Sequence, residues 1–88
     1  MSDPSQDETV LDVRTLEPQQ RHAIVQRLID RLGRGRSLQL IADHNPRPLR
    51  GYFEMVHGDE AQWSYLEEGP QVWRVRLARL VAYTSMAR

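Results

Sequence analysis

The sequence predicts an α+β fold: a two-layer sandwich of order β-α-β-α-β-β, with two helices on one face of a four-stranded mixed sheet. Three observations carry this. Apolar residues alternate at Leu11 and Val13, and again at Trp73, Val75 and Leu77, the period of half-buried strands. They recur at helical spacing through Ile24, Val25, Leu28, Ile29 and Leu32, and through Leu49, Tyr52, Phe53 and Val56. Proline and glycine punctuate the boundaries at Pro18, Gly33, Gly35, Pro46, Gly58, Gly69 and Pro70.

The opening stretch, MSDPSQDET, offers acids, serine and proline with almost nothing to bury, so ordering it would cost entropy without return. Residues 1–9 are expected to form a disordered lead, 10–79 the folded domain and 80–88 a C-terminal tail. The first strand is expected over 10–14, with Leu11 and Val13 inward and Asp12 and Arg14 outward. Pro18 suits the first position of a helix, where its missing N–H has no partner to lose. That helix turns Gln20, Arg27 and Arg31 to solvent and stops at Gly33 and Gly35. SLQLIA, residues 37–42, reads as a buried central strand, and strand, helix, strand implies a parallel crossover. Asn45 is expected to cap a second helix with Pro46 at its first position, Gly51 as an interior weak point and Gly58 as terminator. Residues 62–66 and 71–78 form a hairpin joined through Glu67, Glu68, Gly69 and Pro70. Its strands carry Trp63 and Trp73, expected to meet as a cross-strand aromatic pair, and Arg74 and Arg76 lie on its wet face.

Composition narrows the function classes. The chain has 88 residues, twelve arginines against twelve carboxylates, no lysine and no cysteine. One small core without disulfides disfavours a secreted stapled scaffold. No apolar run approaches the ~20 residues needed to span a bilayer, and the acidic start is unlike a signal peptide, so a cytoplasmic protein without membrane contact is expected. Zero net charge removes a general pull toward nucleic acid. Arg74, Arg76 and Arg79 with Arg27 and Arg31 lack the interleaved aromatics of a readout surface, so no nucleic-acid partner is expected.

The segment LDVRTLEPQQRHAIVQRLIDRL resembles the opening of the SirA/TusA-like sulfur-carrier domains, which share this element order and place Cys-Pro-x-Pro at the start of the first helix. Here Glu17 stands at the cysteine position, Pro18 is kept, and Gln20 replaces the second proline. The chain more closely resembles a bacterial subgroup, the domain of unknown function 2249. That likeness rests on Asp43-His44-Asn45-Pro46-Arg47-Pro48-Leu49 and on the block from Trp63 through Tyr65-Leu66-Glu67-Glu68-Gly69-Pro70 to Val72-Trp73-Arg74-Val75-Arg76. It implies no settled activity, but a context: such domains occur alone or beside hemerythrin-like domains, in bacteria handling nitrogen oxides or low oxygen. A sulfur carrier holds its sulfur on a thiolate, and this chain has no thiol, so it cannot carry a persulfide itself.

Parallel strands would bring Glu17 and Arg21 to the same end as Asp43, His44, Asn45 and Arg47, with Glu67 and Glu68 joining them if the hairpin's first strand also runs parallel. Each of these residues has an ordinary structural role and a functional one. Glu17 complements a helix dipole or occupies the carrier's anion position. Arg21 pairs with Glu17 four residues earlier or, with Arg47 and Arg50, receives a small anion. Asp43 and Asn45 organise a turn around an exposed His44, or Asp43 orients His44 as a base. One imidazole among carboxylates also suits a divalent metal, with His44 and Asp43 as candidate ligands, although no ligand spacing such as H-x-x-x-H is present. No cofactor is otherwise expected. The combined expectation is a non-catalytic binding or adaptor module with a protein partner or small anion at this end. The alternative is a metal- or redox-linked accessory domain in nitrogen-oxide or low-oxygen metabolism.

Overall fold

A computed structural model describes residues 8–81. Strand β1 is Glu8–Asp12, helix α1 Pro18–Asp30, strand β2 Ser37–Ala42, helix α2 Pro48–His57, strand β3 Ala61–Glu68 and strand β4 Trp73–Arg79. The sheet order is β1-β2-β4-β3, with β1 parallel to β2 and β4 antiparallel to both its neighbours. This is the mixed four-stranded sheet with two helices that the apolar periods predict.

The inward residues of the central strands β2 and β4 meet the helix stripes in one core. Val25, Ile29, Leu38, Leu40, Phe53, Val75 and Leu77 are each at most 1% exposed. Phe53 alone contributes on the order of 1.5–3 kcal/mol by leaving water. Two bonds tie the helices: the Tyr52 hydroxyl donates to Asp30 Oδ1 at 2.6 Å, and His57 Nε2 donates to the Ile29 carbonyl at 2.6 Å. The other face of the sheet carries Gln39, Arg74 and Arg76 together with the apolar Val10 and Ile41. Across it run Arg76 with Glu8 at 2.7 Å and Arg74 with Glu67 at 2.9 Å.

Several local expectations are corrected. β1 spans Glu8–Asp12 rather than 10–14: Glu8 pairs with Arg76, and Glu8 and Thr9 are strand rather than lead. At the other end, Asp12 Oδ1 accepts the Arg14 N–H at 3.0 Å and turns Val13–Thr15 into a 3-10 turn that buries Val13. Residues 1–7 of the expected lead and 82–88 of the expected tail lie outside the described residues. Helix α2 begins at Pro48, two residues later than expected, because Asn45 is not its cap. Instead, Asn45 Oδ1 accepts the Tyr65 hydroxyl at 2.9 Å, and the Pro46 carbonyl accepts Leu49 N–H at 3.0 Å. Val56, read as core, is 37% exposed.

In the hairpin, Glu67 and Glu68 are strand rather than loop, and the turn closes over 69–72 with Gly69 N–H donating to Val72 O at 2.8 Å. The Gly69-Pro70 peptide is cis. Trp63 and Trp73 do not meet directly, since the register sets Trp63 against Leu77 and Trp73 against Glu68. Tyr65 joins them edge-on, at ring-centroid distances of 6.0 and 6.2 Å. Among the described residues no helix is long and apolar enough to cross a membrane.

Candidate functional site

β1, β2 and β3 all end on the same side, since β2 and β3 each run opposite to β4 and β1 runs with β2. The carboxyl ends of such strands are where open sheets tend to carry ligands. Every residue singled out from the sequence, Glu17, Arg21, Asp43, His44, Asn45, Arg47, Glu67 and Glu68, follows or closes one of these three strands.

Asp43 is the hub of the part that assembles. Its Oδ1 accepts His44 Nδ1–H at 2.7 Å and faces Arg21 Nη1 at 3.7 Å. The His44 bond, seconded by the Arg21 charge, holds the Asp43 carboxyl below the usual carboxylate range. Arg21 is fixed from its other side by Nε–H donation to the Leu16 carbonyl at 3.2 Å, so Asp43 sits against a guanidinium with little freedom to leave. Arg21 therefore turns to Asp43 rather than to Glu17. His44 is 72% exposed, and with Nδ1 committed to Asp43 its Nε2 faces water.

The other members stand apart. Asn45 is drawn inward by Tyr65, which pins the turn between β2 and α2. Glu67 is taken by Arg74, whose Nη1 also lies 3.5 Å from Gln39 Oε1. The side chains of Glu17, Arg47 and Glu68 are exposed, and among the described residues none of the three has a charged or hydrogen-bonding partner. Glu17 and Arg47 are the N-cap residues of α1 and α2, and neither side chain caps its helix. Among the described residues, no three His, Asp or Glu side chains gather closely enough to hold a metal ion. The imidazole-and-carboxylate cluster expected from the sequence reduces to the pair Asp43 and His44.

Arg14 is a member of this end that sequence reading missed, having placed it as an outward strand residue. It donates to Asp12 from Nε at 2.9 Å and from Nη2 at 2.7 Å, and the charges of Asp43 and Glu67 act on it as well. The Arg14 side-chain bond pulls the Asp12 carboxyl down to about 2. A signal was present in the order Asp12, Val13, Arg14, Thr15, because an aspartate accepting from the backbone two residues ahead starts a turn.

The His44 imidazole is oriented by Asp43 and open to water, and among the described residues no hydroxyl is hydrogen-bonded to it. A family model described as Uncharacterized conserved protein (DUF2249) matches residues 10–79. The chain belongs to the DUF2249 family. The matched span covers all the DUF2249 residues discussed above and stops at the last residue of β4. No curated protein matches the chain, and no solved structure does.

Proposed function

We propose that this DUF2249 domain is a non-catalytic binding or adaptor module of the bacterial cytoplasm, related to the SirA/TusA-like carriers but unable to carry persulfide. Its working end is the rim where α1 and α2 begin, and Arg47, His44 and Glu17 meet a protein partner or a small anion. The element order and layering support the SirA/TusA-like relationship, and the absence of any cysteine removes the group on which a carrier loads sulfur.

One observation carries the reading: Glu17 and Arg47, which start the two helices, present side chains without partners among the described residues on a rim whose neighbours are tied down. Arg21 is tied to Leu16 and Asp43, Asn45 to Tyr65, and Asp12 to Arg14. Groups presented from a fixed backbone lose little entropy when a partner pairs with them. A metal-linked role would rest on His44 and Asp43 alone, two ligands where a resident divalent ion takes four or more.

The test compares partner capture from host lysate by wild-type, Arg47→Ala and Arg27→Ala protein, Arg27 lying away from this rim. A partner lost with Arg47→Ala and kept with Arg27→Ala is the expected result. A partner set indifferent to Arg47 refutes this end as the working surface. An amide NMR titration with Zn²⁺, Fe²⁺ and phosphate addresses the metal role. Saturable metal shifts confined to residues 43–47 and 67–69, and lost in His44→Ala, would replace the adaptor reading with the metal-linked one.

A further inference from the structure

The arginines of this neutral chain are mostly matched to acids, and one that is not marks a second place on the molecule. Arg14, Arg21, Arg34, Arg50, Arg74, Arg76 and Arg79 each face a carboxylate within 4 Å. Among the described residues Arg27, Arg31 and Arg47 face none. Arg47 belongs to the rim above, and Arg27 stands on the open side of α1. Arg31, the residue that ends α1, lines a recess of about 160 Å³ between that helix end and the first residues of β2. The recess lies at the end of the sheet opposite the rim.

Its lining has two parts. Leu28, Leu32 and Leu38 are apolar, Leu38 being 1% exposed. Arg31 supplies a guanidinium and Thr9 a hydroxyl; Arg36, itself partnered, and Ser37, whose side chain bonds to Glu8, complete the lining, and among the described residues no carboxylate lines the space. The unneutralised Arg31 guanidinium beside a hydroxyl and above an apolar floor is matched by a ligand with a negative head and a small apolar body. The guanidinium fork fits a carboxylate with two parallel bonds. At ~30 Å³ per water, the space holds about five waters, comparable to a branched acid of roughly four or five carbons.

We propose that this recess is a binding site for a small carboxylate with a short apolar body, either a free branched short-chain acid or the carboxyl terminus of a polypeptide ending in an aliphatic residue. The proposal stands apart from the adaptor reading, since the two sites share no residue.

The experiment is an amide NMR titration of the full-length ¹⁵N-labelled protein with isovalerate at constant ionic strength, with isovaleramide as neutral isostere. It is run on wild type, Arg31→Gln and Arg27→Gln, each first checked for an unchanged folded spectrum. Saturable shifts at Gly33, Ser37 and Leu38 are expected with isovalerate and not with the amide. Arg31→Gln is expected to weaken binding about tenfold or more, the loss of one charge-assisted contact, while Arg27→Gln leaves it unchanged. Shifts that fail to saturate, an equal response to isovaleramide, or equal weakening by Arg27→Gln would overturn the proposal. A short peptide ending in leucine, with a free or an amidated terminus, separates the sources. Tighter binding of the free-terminus peptide than of isovalerate assigns the site to a polypeptide end, the reverse assigns it to the free acid, and failure of both overturns it.

Discussion

Alanine placed in turn at Gly51, Gly58 and Gly69 separates three physical effects that one substitution usually confounds. At Gly51, inside α2, an added Cβ meets nothing within 4 Å and the backbone is helical, so only helix propensity changes. Alanine there is expected to stabilise by ~0.5–1 kcal/mol. Gly58 also has open space around it but holds φ +55° and ψ −127°, a conformation essentially confined to glycine, so alanine pays the backbone cost alone, ~1–3 kcal/mol. Gly69 holds φ +59°, and its Cβ would lie 2.7–2.8 Å from three atoms of the Trp73 indole. The ring must shift, and it is already engaged edge-on with Tyr65, so overpacking adds ~1–3 kcal/mol to the same backbone cost. For a domain of this size 1 kcal/mol moves the melting temperature by roughly 4–8 °C. Thermal melts by circular dichroism should therefore rise by about 2–8 °C for Gly51→Ala, fall by about 4–24 °C for Gly58→Ala and fall furthest for Gly69→Ala. In a Trp73→Leu background the steric part of the Gly69→Ala loss should vanish, leaving a cost close to that at Gly58. Equal losses at Gly58 and Gly69, or no coupling between Gly69 and Trp73, would refute the steric argument.

Two further predictions concern charge. Glu60 takes Arg79 Nε at 2.7 Å and Arg34 Nε at 3.1 Å, while Arg79 also donates to the Leu32 carbonyl at 2.7 Å. Glu60→Gln should lower the melting temperature more than Glu54→Gln, which severs only one exposed i,i+4 pair with Arg50, and equal effects would show the cluster adds nothing. Asp12, Glu8, Asp43 and Glu60 all have carboxyls held below their ordinary values by arginine or histidine contacts, Asp12 at about 2. A depressed carboxylate stabilises fully above its unfolded value and is lost as pH falls through the folded one, so stability should decline between about pH 4.5 and 2. Urea midpoints across that range should show Asp12→Asn flattening its lowest part, and an unchanged slope would refute the assignment.

The legible parts of this protein were those written within a few residues. The proline at the start of α1, the SLQLIA strand, the α2 stripe through Leu49 and Phe53 and the glycine at its end all depend on i,i+2 or i,i+4 spacing and on backbone preference. The boundaries that slipped were those where a distant partner overrode the local signal. Asn45 looks like a cap until Tyr65, 20 residues on, takes its oxygen, and the start of β1 depends on Glu8 reaching Arg76, 68 residues away.

The candidate site divides in the same way. Asp43 and His44 are neighbours in the chain, and their pairing was within reach of the sequence. That Arg21 would turn from Glu17 to Asp43, 22 residues away, was not, nor was the approach of Arg14 to the charges of Asp43 and Glu67. Elements and their faces follow from the sequence because each residue's backbone preference and polarity act locally. Which exposed charges neutralise one another, and which remain unspent at the rim and in the recess, follows only from tertiary structure, because Coulomb attraction and hydrogen bonding act over a few ångströms of space and register alone decides which side chains share them.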